Sequence, residues 1–137
     1  MIWVLDPEKY QTLIPYASAA HDYFHLPGKF DAETTLDMFH EYPESQCWII
    51  DDYRSALFAS ILPIPFTKER FGYCVFWYSR KKPACEFVQL VRLFEGYARE
   101  QGGEYIIMSQ FAHLPKYIQR LFPNMEFMYE TYRSPRL

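Results

Sequence analysis

The sequence has little glycine, with five residues in 137 against ten prolines. Glycine tolerates left-handed backbone and lets a ligand approach the main chain closely. The glycine spacings of a Walker loop and of a dinucleotide-binding fingerprint are both missing, as is a Ser/His/Asp nucleophile arrangement. The commonest phosphate-binding loops are therefore excluded as the basis of function.

Cysteine is also scarce and carries no metal or redox motif. Cys47, Cys74 and Cys85 form an odd set without CxxC or Cys/His spacing. Such thiols are typical of a reducing compartment, where disulfides are rare. We interpret them as structural, with Cys47 and Cys74 in the core.

Long hydrophobic runs are missing as well. Charged residues at positions 51, 52, 54 and 70 interrupt the best candidates, and none approaches the roughly 18 residues that a membrane span needs. The first residues lack the basic segment and cleavage site of a signal peptide. We expect a cytoplasmic protein that does not enter a membrane.

Charge is distributed unevenly. Residues 1–69 contain 11 acidic and 4 basic side chains, whereas residues 70–137 contain 6 and 10. The asymmetry indicates either a binding face or elements with differently charged solvated surfaces. Because the basic residues are not densely clustered, nucleic acid is an unlikely partner.

Hydrophobic spacing predicts ten elements in one domain, residues 1–137. In chain order they are a strand at 2–5, helices at 7–26 and 31–42, strands at Gln46–Ile50, 55–62 and 71–79, a helix that Pro83 opens and Gly102 ends, a buried strand at 104–108, a helix at 115–122 and a strand at 125–132. Pro15 is expected to kink or split the first helix. The order predicts an α/β (α+β) fold, with a central mixed sheet of about six strands flanked by four helices.

The strand–turn–helix–strand unit at 71–108 is the centre of this plan. Strand 71–79 is apolar almost throughout, which predicts burial on both faces. The following helix has an apolar stripe, and Glu86, Arg92, Glu95 and Arg99 are assigned to its outer face. The basic turn Arg80-Lys81-Lys82 precedes the helix N-terminus, where backbone N–H groups favour an anion.

This element order resembles the GNAT-type N-acyltransferase fold. In that family the strand equivalent to 71–79 is followed by Arg/Gln-x-x-Gly-x-Gly/Ala, whose N–H groups hold the pyrophosphate of acyl-coenzyme A. Arg80 matches the first position, and Pro83 and Cys85 stand at the two glycine positions. The resemblance implies acetyl-coenzyme A as ligand. Its implied binding residues are Tyr78, Arg80, Lys81, Lys82, Ala84, Ser109 and Gln110. For Ser109 and Gln110, a helix-capping or loop role is the alternative.

Three departures from the family pattern bear on activity. Pro83 has no N–H to donate. Phe122 replaces the tyrosine that would protonate the leaving thiolate, and strand 71–79 has no carboxylate base. They favour a non-catalytic binding or assembly module without a cofactor, similar to small GNAT-like proteins of phages and their virions. The alternative is an active N-acetyltransferase.

Tyrosines outside the central strand are candidates for protein interfaces or self-assembly, with ordinary half-burial as the alternative. The tyrosines considered are Tyr10, Tyr16, Tyr42, Tyr53, Tyr129 and Tyr132. His21 and His25 have metal-ligand spacing, i and i+4, but no HExxH pattern. We interpret them as a packed or exposed pair and predict no metal site.

Overall fold

The computed structural model describes residues 1–23, 25–79 and 84–108, without the side chains of residues 84 and 85. Its elements are β1 (Ile2–Val4), a 3-10 helix (Pro7–Leu13), α1 (Ile14–Tyr23), α2 (Ala32–Glu41), β2 (Gln46–Ile50), β3 (Ser55–Pro63), β4 (Arg70–Ser79), α3 (Ala84–Glu100) and β5 (Gly103–Met108). They agree with the predicted elements to within a few residues. The helix predicted at 115–122 and the strand predicted at 125–132 lie outside the described residues.

The strands form a mixed sheet in the order β1-β2-β3-β4-β5. The pairs β1–β2, β2–β3 and β3–β4 are antiparallel, whereas β4 and β5 are parallel. A parallel pair needs a crossover connection, which α3 provides. The predicted α+β fold is confirmed. The described residues contain five strands and three α-helices, whereas six strands and four helices were predicted for the whole chain. No helix in those residues is long and apolar enough to cross a membrane.

The first helical region is divided in two, as Pro15 predicted. Asp6 caps the 3-10 helix by accepting a 3.0 Å hydrogen bond from the N–H of Glu8. The chain changes to α-helix at Ile14. Pro15 thereby falls in the first turn of α1, where its missing N–H leaves no helix hydrogen bond unmade.

Apolar side chains cover both faces of the sheet. The layer on the α3 side is formed mainly by Trp48, Ile50, Leu57, Cys74, Phe87, Leu90, Val91 and Phe94. The layer on the α1 and α2 side is formed mainly by Leu5, Tyr10, Leu13, Phe39, Cys47, Ile49 and Phe58. Cys47 and Cys74 are both buried, which confirms their assignment to the core.

Three expectations about burial in the strands and in the first helical region are wrong. Only Gly72 and Cys74 of β4 are buried, and its other side chains are half-buried. The described part of β5 pairs with β4 only as far as Cys74, so the second half of β4 has β3 alone as a neighbour in the described residues. In β5, predicted to be buried, Glu104 and Tyr105 are exposed.

Tyr10 is the third correction, because a tyrosine considered for an exposed interface is only 1% exposed. Its ring packs edge-on against Phe39 and Phe58. Its hydroxyl lies 3.0 Å from the Ser45 hydroxyl, so the polar end is satisfied inside the protein.

Candidate functional site

In the described residues, the pairing between the parallel strands β4 and β5 covers the first half of β4. Pairing in the described residues runs from Arg70–Gly103 to Cys74–Met108. A β-bulge follows directly, because Phe58 pairs with Phe76 and Ala59 with Cys74, which leaves Val75 as the extra residue. Bulges bend a strand and commonly mark the point where pairing ends. β4 thus changes course at Val75 and continues to Ser79 against β3.

The carboxyl end of β4 leads directly into the start of α3. Only residues 80–83 separate Ser79 from Ala84, the first residue of the helix. The first N–H groups of a helix have no partner within the helix and attract anions. The predicted anion site is therefore at the end of β4. Arg80, Lys81 and Lys82 lie outside the described residues, so their contacts stay a prediction, as does binding at Ala84.

Glu86, in the first turn of α3, was assigned to the outer face, and that expectation is wrong. It is 7% exposed. Its Oε1 is paired with the guanidinium of Arg54, and its Oε2 accepts a 3.0 Å hydrogen bond from the Ser55 hydroxyl. The Ser55 hydroxyl also lies 3.0 Å from that of Ser79, so the cluster reaches the last residue of β4.

Arg54 extends this cluster to the start of the chain. Its guanidinium is 2.8 Å from Asp51 Oδ2, and Asp51 Oδ1 accepts a 2.7 Å hydrogen bond from the amino group of Met1. That hydrogen bond and the positive charge of the amino group hold the pKa of Asp51 below its ordinary value, with a smaller contribution from Arg54. The charge of Glu86 is therefore balanced, and it does not oppose an anion at the start of α3.

Neither the bulge nor this cluster was predicted from the sequence. Val75 is surrounded by apolar residues of the same type, and no glycine marks the irregularity. Glu86 sits beside Phe87 and so borders the apolar stripe of α3. That position was the available signal, but only the fold brings the 51–54 turn close to the helix.

Tyr78 lies on the sheet face opposite α3, packed with the α1 and α2 layer. Its hydroxyl donates a 3.0 Å hydrogen bond to the carbonyl of Tyr53. Its ring stacks on Tyr16 with 4.6 Å between centroids, and Tyr16 stacks in turn on Tyr53 at 5.6 Å. The three rings brace the end of β4 against α1. Ligand binding by Tyr78 stays a prediction, and Ser109 and Gln110 lie outside the described residues.

The two histidines of α1 and its following turn do not form a shared site. The His21 ring packs against Phe30, and its buried Nδ1 has no hydrogen-bond partner among the described residues. His25 is exposed and has a left-handed backbone, with φ of 50°. The described part of the chain contains no group of three or more His, Cys, Asp or Glu side chains placed to hold a metal ion.

No protein-family model and no curated protein matches the chain. Solved structures do match it. A Pyrococcus furiosus protein named as an acetyl transferase has 13% identity, covers 99% of this chain and 100% of its own, and has a TM-score of 0.75. An aminoglycoside acetyltransferase from an uncultured soil metagenomic sample, solved with sisomicin, has 11% identity, 99% and 96% coverage and a TM-score of 0.72.

A third match is the ribosomal-protein-alanine N-acetyltransferase of Brucella melitensis biovar Abortus 2308. It has 12% identity, covers 99% of both chains and has a TM-score of 0.69. At such identities the similarity concerns the fold, and it extends over almost the full length of each protein. This chain has the GNAT-type N-acyltransferase fold.

Proposed function

We propose that the protein is an N-acyltransferase that moves an acyl group, most simply acetyl, from acyl-coenzyme A to an amine. The observation that carries the proposal is the β4–α3–β5 unit, in which β4 bulges at Val75 before it reaches the start of α3. A β-bulge disrupts the strand ladder locally and leaves its extra residue unpaired, which frees backbone N–H and C=O groups for another partner. An extended ligand with amide groups, such as the pantetheine arm, can pair with them.

The start of α3 suits the phosphate groups of acyl-coenzyme A. The N-terminus of this 17-residue helix offers unpaired N–H groups and the positive end of its dipole. Glu86, the acidic side chain of the first turn, is already paired with Arg54. Arg80 and Lys82 would add charge. Since Pro83 has no N–H, side-chain charge would carry more of the binding than in the glycine-containing family pattern.

Once both substrates are bound, acyl transfer requires few catalytic side chains. The amine nitrogen attacks the thioester carbonyl, the C–S bond breaks, and the nitrogen proton goes to solvent while the thiolate takes one up. β4 contains no Asp or Glu, so no carboxylate of that strand acts as base. Rate enhancement would then come mainly from positioning amine and thioester. We expect the rate to rise with pH until the acceptor amine is deprotonated.

A binding or assembly module without acyl transfer is the competing function. It is supported by the carboxylate-free β4 and by Pro83 at a glycine position. A role in a phage particle stays a prediction from the sequence resemblance. The two functions differ in one property, since only the transferase releases free coenzyme A in the presence of an amine.

Calorimetric titration with acetyl-coenzyme A tests the binding step. We expect saturable micromolar binding that an Arg80→Ala/Lys82→Ala variant weakens at least about tenfold, since two charge-assisted contacts are lost. Lys68→Ala, which removes an exposed cation from the β3–β4 loop, is the matched control and should bind normally. Absence of binding at millimolar ligand would overturn the proposal.

The acceptor is tested with a panel of amines. Sisomicin and a peptide with N-terminal alanine are suitable first members, because two proteins of this fold are named for such acceptors. Acetylation of any amine, detected by mass spectrometry, supports the transferase. Tight acetyl-coenzyme A binding without transfer to any amine supports the binding module instead.

A further inference from the structure

A groove lies beside α3 on the face of the sheet that this helix covers. α3 contacts β3, β4 and β5, and next to it, over β2, is a groove of about 230 Å³. Trp48 of β2 and Leu93, Gly96 and Tyr97 of α3 are among the residues that line it. Val4, paired with Trp48 in the neighbouring strand, is 54% exposed, and Leu93 is 38% exposed. An apolar surface thus continues from the groove to the edge of the sheet.

The groove is held open by fixed contacts. The Tyr97 hydroxyl donates a 2.6 Å hydrogen bond to the carbonyl of Glu44, and its ring packs edge-on against Trp48 at 5.7 Å. Arg70 pairs with the Glu44 carboxylate at 2.6 Å and also binds the Gln101 carbonyl at the end of α3. A partner would therefore meet a preformed surface and would spend little free energy on ordering it.

Gly96 is unexpected in the middle of this helix. Glycine destabilises a helix interior relative to alanine, because it loses more backbone freedom on folding. A Cβ at Gly96 would meet nothing within 4 Å, whereas a Cβ at Gly72 would lie 2.8 Å from both Ala98 and Phe94. The packing of the described chain therefore requires glycine at 72 but not at 96. A close approach by a helix of a second chain would use the space that glycine leaves there.

Opposite charges stand symmetrically about Gly96. Arg92 and Glu100 lie four residues before and after it, both exposed at the rim of the groove. Neither makes an ion pair within the described residues. If two copies of α3 cross antiparallel at Gly96, Arg92 of each faces Glu100 of the partner subunit. The pattern is complementary to itself, which a two-fold symmetric interface requires.

We propose that this face binds a second copy of the same chain, with the two α3 helices antiparallel and in closest contact at Gly96. Each α3 then lies beside the other and covers the apolar surface around Trp48 and Val4. The two Arg92–Glu100 pairs set the direction of the helices more than they add affinity, since ion pairs exposed to water are weak. The proposal does not rest on the proposed enzymatic function.

Charge reversal tests the interface. Sedimentation and light scattering over a range of concentrations should show a dimer in equilibrium with monomer. Arg92→Glu and Glu100→Arg should each weaken dimerisation at least about tenfold, because each creates two like-charge contacts across the symmetry axis. The double variant restores both pairs and should dimerise nearly as well as wild type. Glu95→Lys, on another side of α3, is the control and should have no effect.

Gly96→Leu gives a second, independent readout. The side chain enters open space in the monomer and improves helix propensity, so the urea midpoint of dilute protein should not fall. It separates the two helices and should weaken dimerisation at least about tenfold. A monomer at all concentrations up to millimolar would overturn the proposal. A dimer that is indifferent to both charge reversals and to Gly96→Leu would also overturn it, because it would use another surface.

Discussion

The carboxylate of Glu86 is ion-paired with the guanidinium of Arg54, although 32 residues separate them in the chain. The pair joins the turn between β2 and β3 to the first turn of α3. Through Ser55 the same carboxylate is linked to Ser79, the last residue of β4. The end of β4 and the start of α3 are thereby tied to a common point, which fixes the separation between Ser79 and the first turn of α3.

Glu86→Gln should lower the free energy of unfolding by about 1–2 kcal/mol. The amide keeps a hydrogen bond to Ser55 but leaves Arg54 without its buried partner, and the partial exposure of Arg54 limits the loss. Urea unfolding measures the change. Glu95→Gln, on the same helix and without an ion pair in the described residues, is the control. Equal stabilities of the two variants would mean that the Arg54–Glu86 pair does not hold α3.

Gly72→Ala should destabilise the protein by about 1–3 kcal/mol. The added methyl group would lie 2.8 Å from Ala98 Cβ and from a ring carbon of Phe94, so α3 must move away from β4. The same substitution at Gly96 meets open space and should raise stability by about 0.5–1 kcal/mol in dilute solution. Thermal unfolding measures the stability of both variants. A Gly72→Ala protein as stable as Gly96→Ala would contradict the packing of α3 on β4.

Cys47 and Cys74 should be unreactive in the folded protein. Burial raises the pKa of both thiols far above the ordinary value, so the nucleophilic thiolate is almost absent near neutral pH. In a Cys85→Ser variant, the reaction with an aromatic disulfide reagent at pH 8 should be limited by global unfolding. Both thiols should react promptly in concentrated urea. Rapid labelling of the native variant would show that one of the two core layers, which contain Cys47 and Cys74, is open to solvent.

Asp51→Asn should change how stability depends on pH. The amino group of Met1, and less strongly Arg54, hold the pKa of Asp51 below 3.8, so the fold favours the ionised carboxylate. A lowered pKa gives stability that is present above the ordinary value and is lost as the pH falls through the folded value. Urea midpoints of wild type and variant should therefore differ near neutral pH and converge below pH 3.8. Asp52→Asn, an exposed change in the same turn, controls for the general effect of removing a carboxylate. A constant offset between wild type and Asp51→Asn down to the lowest pH would contradict the assignment.

Periodicity predicted the elements well because each has a clear local signal. Asp6 and Pro7 begin the first helical segment, Gly102 follows α3, and the apolar stripe of α3 has the helical period. The sequential order of these elements was enough to indicate the fold, which the solved structures then matched from end to end.

Contacts between distant residues could not be predicted in this way. Periodicity assigned Glu86 to solvent, since nothing near it in sequence shows that Arg54 and Ser55 meet it across the sheet. The burial of Tyr10 depends on Phe39 and Phe58, which approach only after the sheet has formed. The bulge at Val75 results from the register with β3, a relation between strands that neither strand encodes by itself.

Release of coenzyme A is the most direct test of the proposed acyl transfer. Purified protein is mixed with acetyl-coenzyme A and an amine from the panel, and free thiol is followed over time. The account predicts release that requires both the protein and the amine, saturates with acetyl-coenzyme A, and falls at least about tenfold in Arg80→Ala/Lys82→Ala. Thiol release that never exceeds the protein-free rate, with every amine and at millimolar acetyl-coenzyme A, would contradict it.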